Sequence, residues 1–132
     1  MSDANTNTIE DTLTVGRRLV ELCEQGKHRE AMEELYADDV VSVEPMTMGD
    51  APARREGKDA IRAKHDQWEQ GTEVTDGSCA GPFPHGDRFA VYFTMKGKCK
   101  VTGREFEMQE VALYTVRDGK IAQEEFFYAP MG

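Results

Sequence analysis

The sequence predicts an α+β fold, with helices on one side of a curved antiparallel sheet. Three helical patterns fall within residues 9–70, and a series of strand-like runs follows them. Near the end of the chain, Asp118-Gly119 lies between two strand-like runs, which is the strongest short-range signal for a β-hairpin. Helices followed by a run of strands are typical of α+β proteins rather than of alternating α/β proteins.

The first helix is predicted over Ile9–Glu24, because apolar residues recur at three- and four-residue spacing and Gly26 follows in the usual C-terminal position. A second, shorter helix is predicted over residues 28–36. The connection between the two helices is so short that they must pack against each other. A short strand is predicted over residues 40–44, ended by Pro45.

Residues 45–56 show no periodicity and form the longest predicted loop. Long ordered loops often serve as binding loops or lids. The loop carries Met46 and Met48, and methionine side chains suit a lid because they repack at low cost.

A third helix is predicted over residues 57–70, followed by a weak strand over 72–80, a bend over 81–87 and a clear strand over 88–96. One face of this helix carries Ile61, His65 and Trp68. One face of the clear strand carries Phe89, Val91, Phe93 and Met95.

The final hairpin has two predicted faces, because strand side chains alternate. With a two-residue turn, Val116 lies opposite Ile121 and Gln109 lies opposite Tyr128. One face then carries Gln109, Val111, Leu113, Ala122, Glu124, Phe126 and Tyr128. The other carries Met108, Glu110, Ala112, Tyr114, Val116, Ile121, Gln123, Glu125 and Phe127. A single β-bulge would reverse this parity and turn Glu110 and Glu125 inward.

Composition narrows the classes of partner. The 132 residues predict a single domain over 1–132, with residues 1–8 as a flexible tail. The net charge of −9 argues against a nucleic-acid or anionic-membrane partner, and no apolar run approaches the roughly 20 residues of a membrane span. Three cysteines without metal-type spacing indicate free thiols in the cytoplasm, and nothing in the sequence predicts a metal site or a cofactor.

Three segments carry a family resemblance: LYADDV at 35–40, EGKDAIR at 56–62 and VRDGKI at 116–121. In this order and at these spacings they resemble the nuclear transport factor 2-like superfamily, which includes SnoaL-type polyketide cyclases and ketosteroid isomerase. The resemblance implies a cone, in which a bent sheet wraps the helices around an apolar pocket, and it implies frequent dimers. Relatives include enzymes and binding domains, so the fold does not settle the function.

The resemblance also implies candidate catalytic residues. Glu44 falls where ketosteroid isomerase has its carboxylate base, with an exposed strand-end carboxylate as the alternative. His65 would border the pocket and donate to a substrate oxygen, with a hydrogen-bonded core histidine as the alternative. Even-numbered residues of the last strand would face inward, which makes Glu124 a second buried carboxylate and Tyr128 a hydroxyl donor.

The expected substrate-binding residues form an apolar lining. They are Met46, Trp68, Phe89, Val91, Phe93, Met95, Gln109, Val111, Leu113 and Phe126. The steroid isomerases carry oxyanion donors at positions that correspond here to Leu19 and Val111, so steroid isomerisation is not implied.

The sequence thus favours a small enzyme without a cofactor that isomerises, cyclises or dehydrates a small apolar carbonyl compound. The alternatives are a non-catalytic module that binds a small ligand and a dimeric scaffold. A homodimer is expected in each case, because Tyr92, Tyr114 and Phe127 are predicted to point away from the cone.

Overall fold

The computed structural model describes residues 9–47 and 50–129, so the predicted lid residue Met48 lies outside the described residues. Within these ranges the chain forms three helices and six strands, which confirms the α+β class. The elements are α1 (Ile9–Glu24), α2 (His28–Leu35), β1 (Tyr36–Val43), β2 (Arg54–Glu56), α3 (Lys58–Gly71), β3 (Thr72–His85), β4 (Arg88–Cys99), β5 (Glu105–Arg117) and β6 (Lys120–Phe127).

The six strands form one sheet in the order β2-β1-β6-β5-β4-β3. All neighbours are antiparallel except β1 and β6, which run parallel, so the sheet is mixed rather than purely antiparallel as predicted. The core lies between one sheet face and the helices, and among its fully buried side chains are Leu19, Met32, Val40, Ile61, Phe89, Val91, Val116 and Ile121. Among the described residues, no helix combines the length and the apolarity needed to cross a membrane.

Helix α1 packs closely against strand β3. A Cβ atom on Gly16 would lie 2.8 Å from the Cβ of Pro82, closer than side chains tolerate. Glycine at this position therefore lets the helix backbone approach the strand, and the approach closes the core on that side.

Three predicted boundaries are wrong. Strand β1 begins at Tyr36, four residues before the prediction, because the second helix ends at Leu35. The predicted loop contains the short strand β2, whose backbone pairs with β1. Strand β3 runs through most of the predicted bend at 81–87, because irregularities in its pairing with β4 absorb the proline and glycine residues without ending the strand.

The register of the final hairpin departs from the prediction at one residue. Val116 pairs with Ile121 as expected, but Thr115 pairs with Gln123, so Ala122 is an extra residue on β6. Beyond this bulge, Tyr114 pairs with Glu124. Paired residues of antiparallel strands share a face. The bulge therefore keeps the predicted inward residues of β6 and exchanges the two faces of β5.

The inner face of β5 consequently carries Glu110, Ala112, Tyr114 and Val116, opposite Phe93, Val91 and Phe89 of β4. Tyr114 was expected to point outward, but it is only 3% exposed and stacks on Phe89 with a centroid distance of 4.9 Å. On the outer face, Tyr92, Val111 and Phe127 pair with one another across three strands and are exposed.

Candidate functional site

Charged side chains gather on the otherwise apolar inner face. Glu44 follows β1, Glu110 lies on β5 and Glu124 lies on β6, while Lys64 reaches them from α3. We call these four residues the carboxylate cluster. A charged side chain away from water is costly unless it is paired and hydrogen-bonded. The hydrogen-bond and ion-pair partners of each charged residue therefore indicate its charge state and its possible role.

Glu124 is the most deeply buried member, at 2% exposure. Its Oε1 accepts a hydrogen bond from the Tyr36 hydroxyl, and its Oε2 accepts one of 2.7 Å from the Ser42 hydroxyl. Both donors lie on β1, the parallel neighbour of β6. These bonds satisfy the buried carboxylate and join the first strand to the last.

Lys64 is the cation of the cluster. Its Nζ donates to Glu44 and, over 3.1 Å, to Ser42 Oγ, and it lies 3.9 Å from Glu124 Oε2. The ammonium group also lies 4.5 Å from the ring centroid of Phe126, within the range of a cation–π interaction. Lys64 therefore balances part of the charge of two carboxylates.

Glu44 accepts hydrogen bonds at both of its oxygens. The Tyr128 hydroxyl donates to Oε1 over 2.6 Å, and Lys64 donates to Oε2. Burial and this hydrogen bond raise the pKa of Tyr128 above its ordinary value. Tyr128 thus remains a protonated donor at neutral pH.

Glu110 differs from the other two carboxylates. Among the described residues, no group forms a hydrogen bond or an ion pair with its carboxyl. The pKa of Glu110 is raised to about 7, chiefly by burial and also by the negative charges of Glu44 and Glu124, while Lys64 opposes the rise. Glu110 therefore exchanges its proton close to neutral pH.

Among the described residues, neither His65 nor Trp68 forms a hydrogen bond or an ion pair with the carboxylate cluster. Burial lowers the pKa of His65, and Arg29, Lys64 and His28 act in the same direction, so the ring is neutral at pH 7. Trp68 is 36% exposed and meets the ring of Phe106 edge-on at 6.2 Å. Glu44 takes its hydrogen bonds from Lys64 and Tyr128 and not from His65.

The predicted lining residues divide between the two faces of the sheet. Phe89, Val91 and Phe93 are buried on the inner face, where Met95 and Phe126 are partly buried. The bulge places Gln109, Val111 and Leu113 on the outer face instead, which contradicts their predicted direction. A depression of about 240 Å³ near Gln109 also involves Ser78 and Thr94, its neighbours across the outer face. Met46 is partly buried after β1.

The sequence did not identify Lys64, Ser42 or Tyr36 as site residues. It turned Glu110 inward only in the alternative in which a β-bulge reverses the two faces of the hairpin. Lys64 directly precedes the predicted candidate His65 on α3, and helical periodicity did not show which of the two side chains reaches the cluster. Ser42 could have been found, because it lies two residues before Glu44 and therefore on the same strand face.

The profile of the SnoaL-like domain family matches residues 11–128. The chain belongs to the SnoaL-like family. This membership confirms the resemblance found in the sequence, and it covers every element from α1 to β6 except the first two residues of α1. No curated protein matches the sequence.

Solved structures of SnoaL-like and related proteins are similar to the chain. A candidate SnoaL-like polyketide cyclase from Mesorhizobium loti, whose name also includes carbohydrate phosphatase, has 40% sequence identity and a TM-score of 0.79, covering 90% of this chain and 97% of that one. A candidate isomerase from Bacillus subtilis has 18% identity and a TM-score of 0.73, covering 94% and 90%. An NTF2-like protein from Burkholderia xenovorans has 18% identity and a TM-score of 0.70, covering 94% and 92%. The last two similarities show the fold alone.

Proposed function

We propose that this SnoaL-like protein is a cofactor-independent enzyme that moves a proton on a small apolar carbonyl compound, as in isomerisation, cyclisation or dehydration. The observation that carries the proposal is the Glu110 carboxyl, which has a pKa of about 7 and no hydrogen-bond partner among the described residues. A general base works best when its pKa lies near the operating pH.

Each member of the carboxylate cluster has a role in this scheme. Glu110 accepts a proton from the carbon next to the carbonyl, and Lys64, whose ammonium group has three N–H donors, donates a hydrogen bond to the developing oxyanion. Glu44 positions Lys64 through Oε2 and accepts the single O–H of Tyr128 at Oε1. Glu124 holds β1 against β6. The sequence-based assignment of Glu44 as the base remains the alternative.

The M. loti protein supports this reaction class, because its name includes a polyketide cyclase and its sequence is 40% identical over most of both chains. The apolar inner face also supports it. Phe93 is buried and lies directly opposite Glu110 on β4, and a low-dielectric surrounding strengthens interactions with developing charge.

Proton exchange tests the proposal without a known substrate. Wild-type protein in D₂O should catalyse deuterium incorporation next to the carbonyl in at least one member of a panel of cyclic ketones and 1,3-diketones, followed by NMR. Glu110→Gln should slow the exchange by about 10²-fold or more, the scale of a general base. Glu107→Gln, at an exposed position of the same strand, is the matched control.

Glu44→Gln separates the two assignments of the base. If Glu110 is the base, Glu44→Gln should reduce exchange less than Glu110→Gln does, because the titrating carboxyl remains. The reverse order would assign the base to Glu44. Exchange no faster than in buffer would refute the enzyme proposal and leave the module that binds a small ligand.

We also propose that the protein is a cytoplasmic homodimer. The outer row of Tyr92, Val111 and Phe127 leaves much apolar surface exposed, with Phe127 at 48%, and supports an interface across the sheet. The free thiols Cys23, Cys79 and Cys99 support a reducing compartment. Sedimentation as a 14.8-kDa monomer at tens of micromolar would refute the dimer.

A further inference from the structure

Arg55 lies at the β2 edge of the same face as the carboxylate cluster. It pairs directly with Ser42 in the antiparallel β1–β2 ladder. Directly opposite residues in such a ladder put their side chains on the same face. Ser42 in turn contacts Glu124 and Lys64, so Arg55 extends the site by one strand.

The guanidinium group of Arg55 is poorly satisfied by the described part of the protein. Its Nε is buried and has no hydrogen-bond partner there, and its Nη2 makes one long bond of 3.4 Å to Gln67 Oε1. None of the ion pairs among the described residues includes Arg55.

Other arginines of the chain show the contrast. Arg54, the preceding residue, points away and forms an exposed ion pair of 3.1 Å with Glu56. Arg62 on α3 forms a two-pronged pair with Glu33, with bonds of 2.7 and 2.8 Å. Arg55 therefore has the donor geometry for such a pair without the acceptor.

A buried donor without an acceptor destabilises the protein, because the group has lost its hydration and gained nothing in return. Guanidinium presents its N–H groups as a rigid planar fork that matches the two oxygens of a carboxylate. Among anions, a singly charged one fits best, because Glu44, Glu110 and Glu124 lie on the same face and repel additional negative charge.

We propose that Arg55 binds a carboxylate of the substrate, through Nε and one Nη group. The inference rests on the proposed function and deepens it: the substrate is a small carbonyl compound that is apolar except for its carbonyl group and one carboxylate.

Through Ser42 and Glu124, Arg55 is in register with Tyr114 of β5, three strand spacings or about 14 Å away. Glu110 lies four residues, about 13 Å, farther along β5. The backbones of Arg55 and Glu110 are therefore on the order of 19 Å apart, so the reacting carbon lies many bonds from the carboxylate. Ser42, opposite Arg55, has its Oγ 3.1 Å from Lys64 Nζ, so a carboxylate held at Arg55 lies on the Lys64 side of the cluster.

Benzoate is the probe for this site, with benzamide as a neutral control of nearly the same shape. Titration followed by ¹H–¹⁵N NMR should show saturable benzoate binding with shifts at Arg55 and Gln67, and benzamide should bind at least about tenfold more weakly. Arg55→Met should weaken benzoate binding by about tenfold or more, whereas Arg54→Met should leave it unchanged. Arg55→Met should fold as stably as wild type, because it removes a donor that lacks an acceptor.

Arg55→Lys keeps the charge and removes the fork, so it should bind benzoate several-fold more weakly than wild type. Equal binding of benzoate and benzamide, equal benzoate binding by wild type and Arg55→Met or Arg55→Lys, or the absence of saturable benzoate binding would overturn the proposal. Tighter binding of inorganic phosphate than of benzoate would overturn the choice of a carboxylate. The titration needs no turnover: intact benzoate binding without proton exchange refutes the enzyme proposal alone, and exchange without benzoate binding refutes the carboxylate anchor alone.

Discussion

Replacing Glu110 with Gln should stabilise the protein at alkaline pH and change little at acidic pH. The folded protein raises the pKa of this carboxyl from 4.5 to about 7. The folded state therefore holds the proton more tightly than the unfolded state, and stability falls as pH rises from about 4.5 to about 7. At about 1.4 kcal/mol per pKa unit, ionised Glu110 destabilises the fold by about 3 kcal/mol above pH 8. Glutamine keeps the shape and cannot ionise.

Urea unfolding of wild type and Glu110→Gln at pH 5 and pH 8 measures this difference. The variant should gain about 3 kcal/mol at pH 8, or about 10 °C in Tm, and less than about 1 kcal/mol at pH 5. Glu107→Gln, exposed on the same strand, should change stability by no more than about 0.5 kcal/mol at either pH. Equal effects of Glu110→Gln at both pH values would refute the raised pKa and, with it, the main support for Glu110 as the base.

Three further variants or probes test other parts of the structure. Gly16→Ala should lower the free energy of unfolding by about 1–3 kcal/mol despite the better helix propensity of alanine, because its Cβ would collide with a proline of β3; a thermal melt no lower than wild type would contradict that contact. Tyr36→Phe should cost about 1–3 kcal/mol in urea unfolding, because the buried carboxylate of Glu124 loses a donor, and an unchanged midpoint would mean that the bond contributes nothing. Iodoacetamide at pH 8 should modify Cys99 before Cys23, because hydrogen bonds lower the pKa of the first thiol while burial raises that of the second to about 12; mass spectrometry showing the opposite order would refute this.

The fold was predictable because its signals are local. Helical spacing, the Asp118-Gly119 turn and the three family segments each lie within a few residues of sequence. Which face of β5 turns toward the core was not predictable from such local signals. One extra residue, Ala122, decides which face of β5 turns inward, and the nearby Gly119 is already accounted for by the hairpin turn, so nothing in the sequence marks the bulge.

The site was only partly predictable for a similar reason. Glu44, Glu124 and Tyr128 were found through the family resemblance and do lie in one network. Lys64 and Arg55 were missed, because a charged residue on a helix or on a short strand usually faces solvent. Only the pairing of β2 with β1 and the reach of a long side chain from α3 bring these cations to the cluster.

The parallel pairing of β1 with β6 has a consequence for how the chain folds. Strand β1 is synthesised early, yet its inner neighbour is the last strand, and the hydrogen bonds from Ser42 and Tyr36 to Glu124 span 82 and 88 residues. Contacts of such long range require the costly closure of a large loop and form late in folding. A ribosome-bound chain that ends before β6 therefore exposes one edge of β1 and lacks part of the carboxylate cluster. The site is completed only after β6 has left the ribosome, and the unfinished intermediate is open to aggregation through the exposed edge of β1.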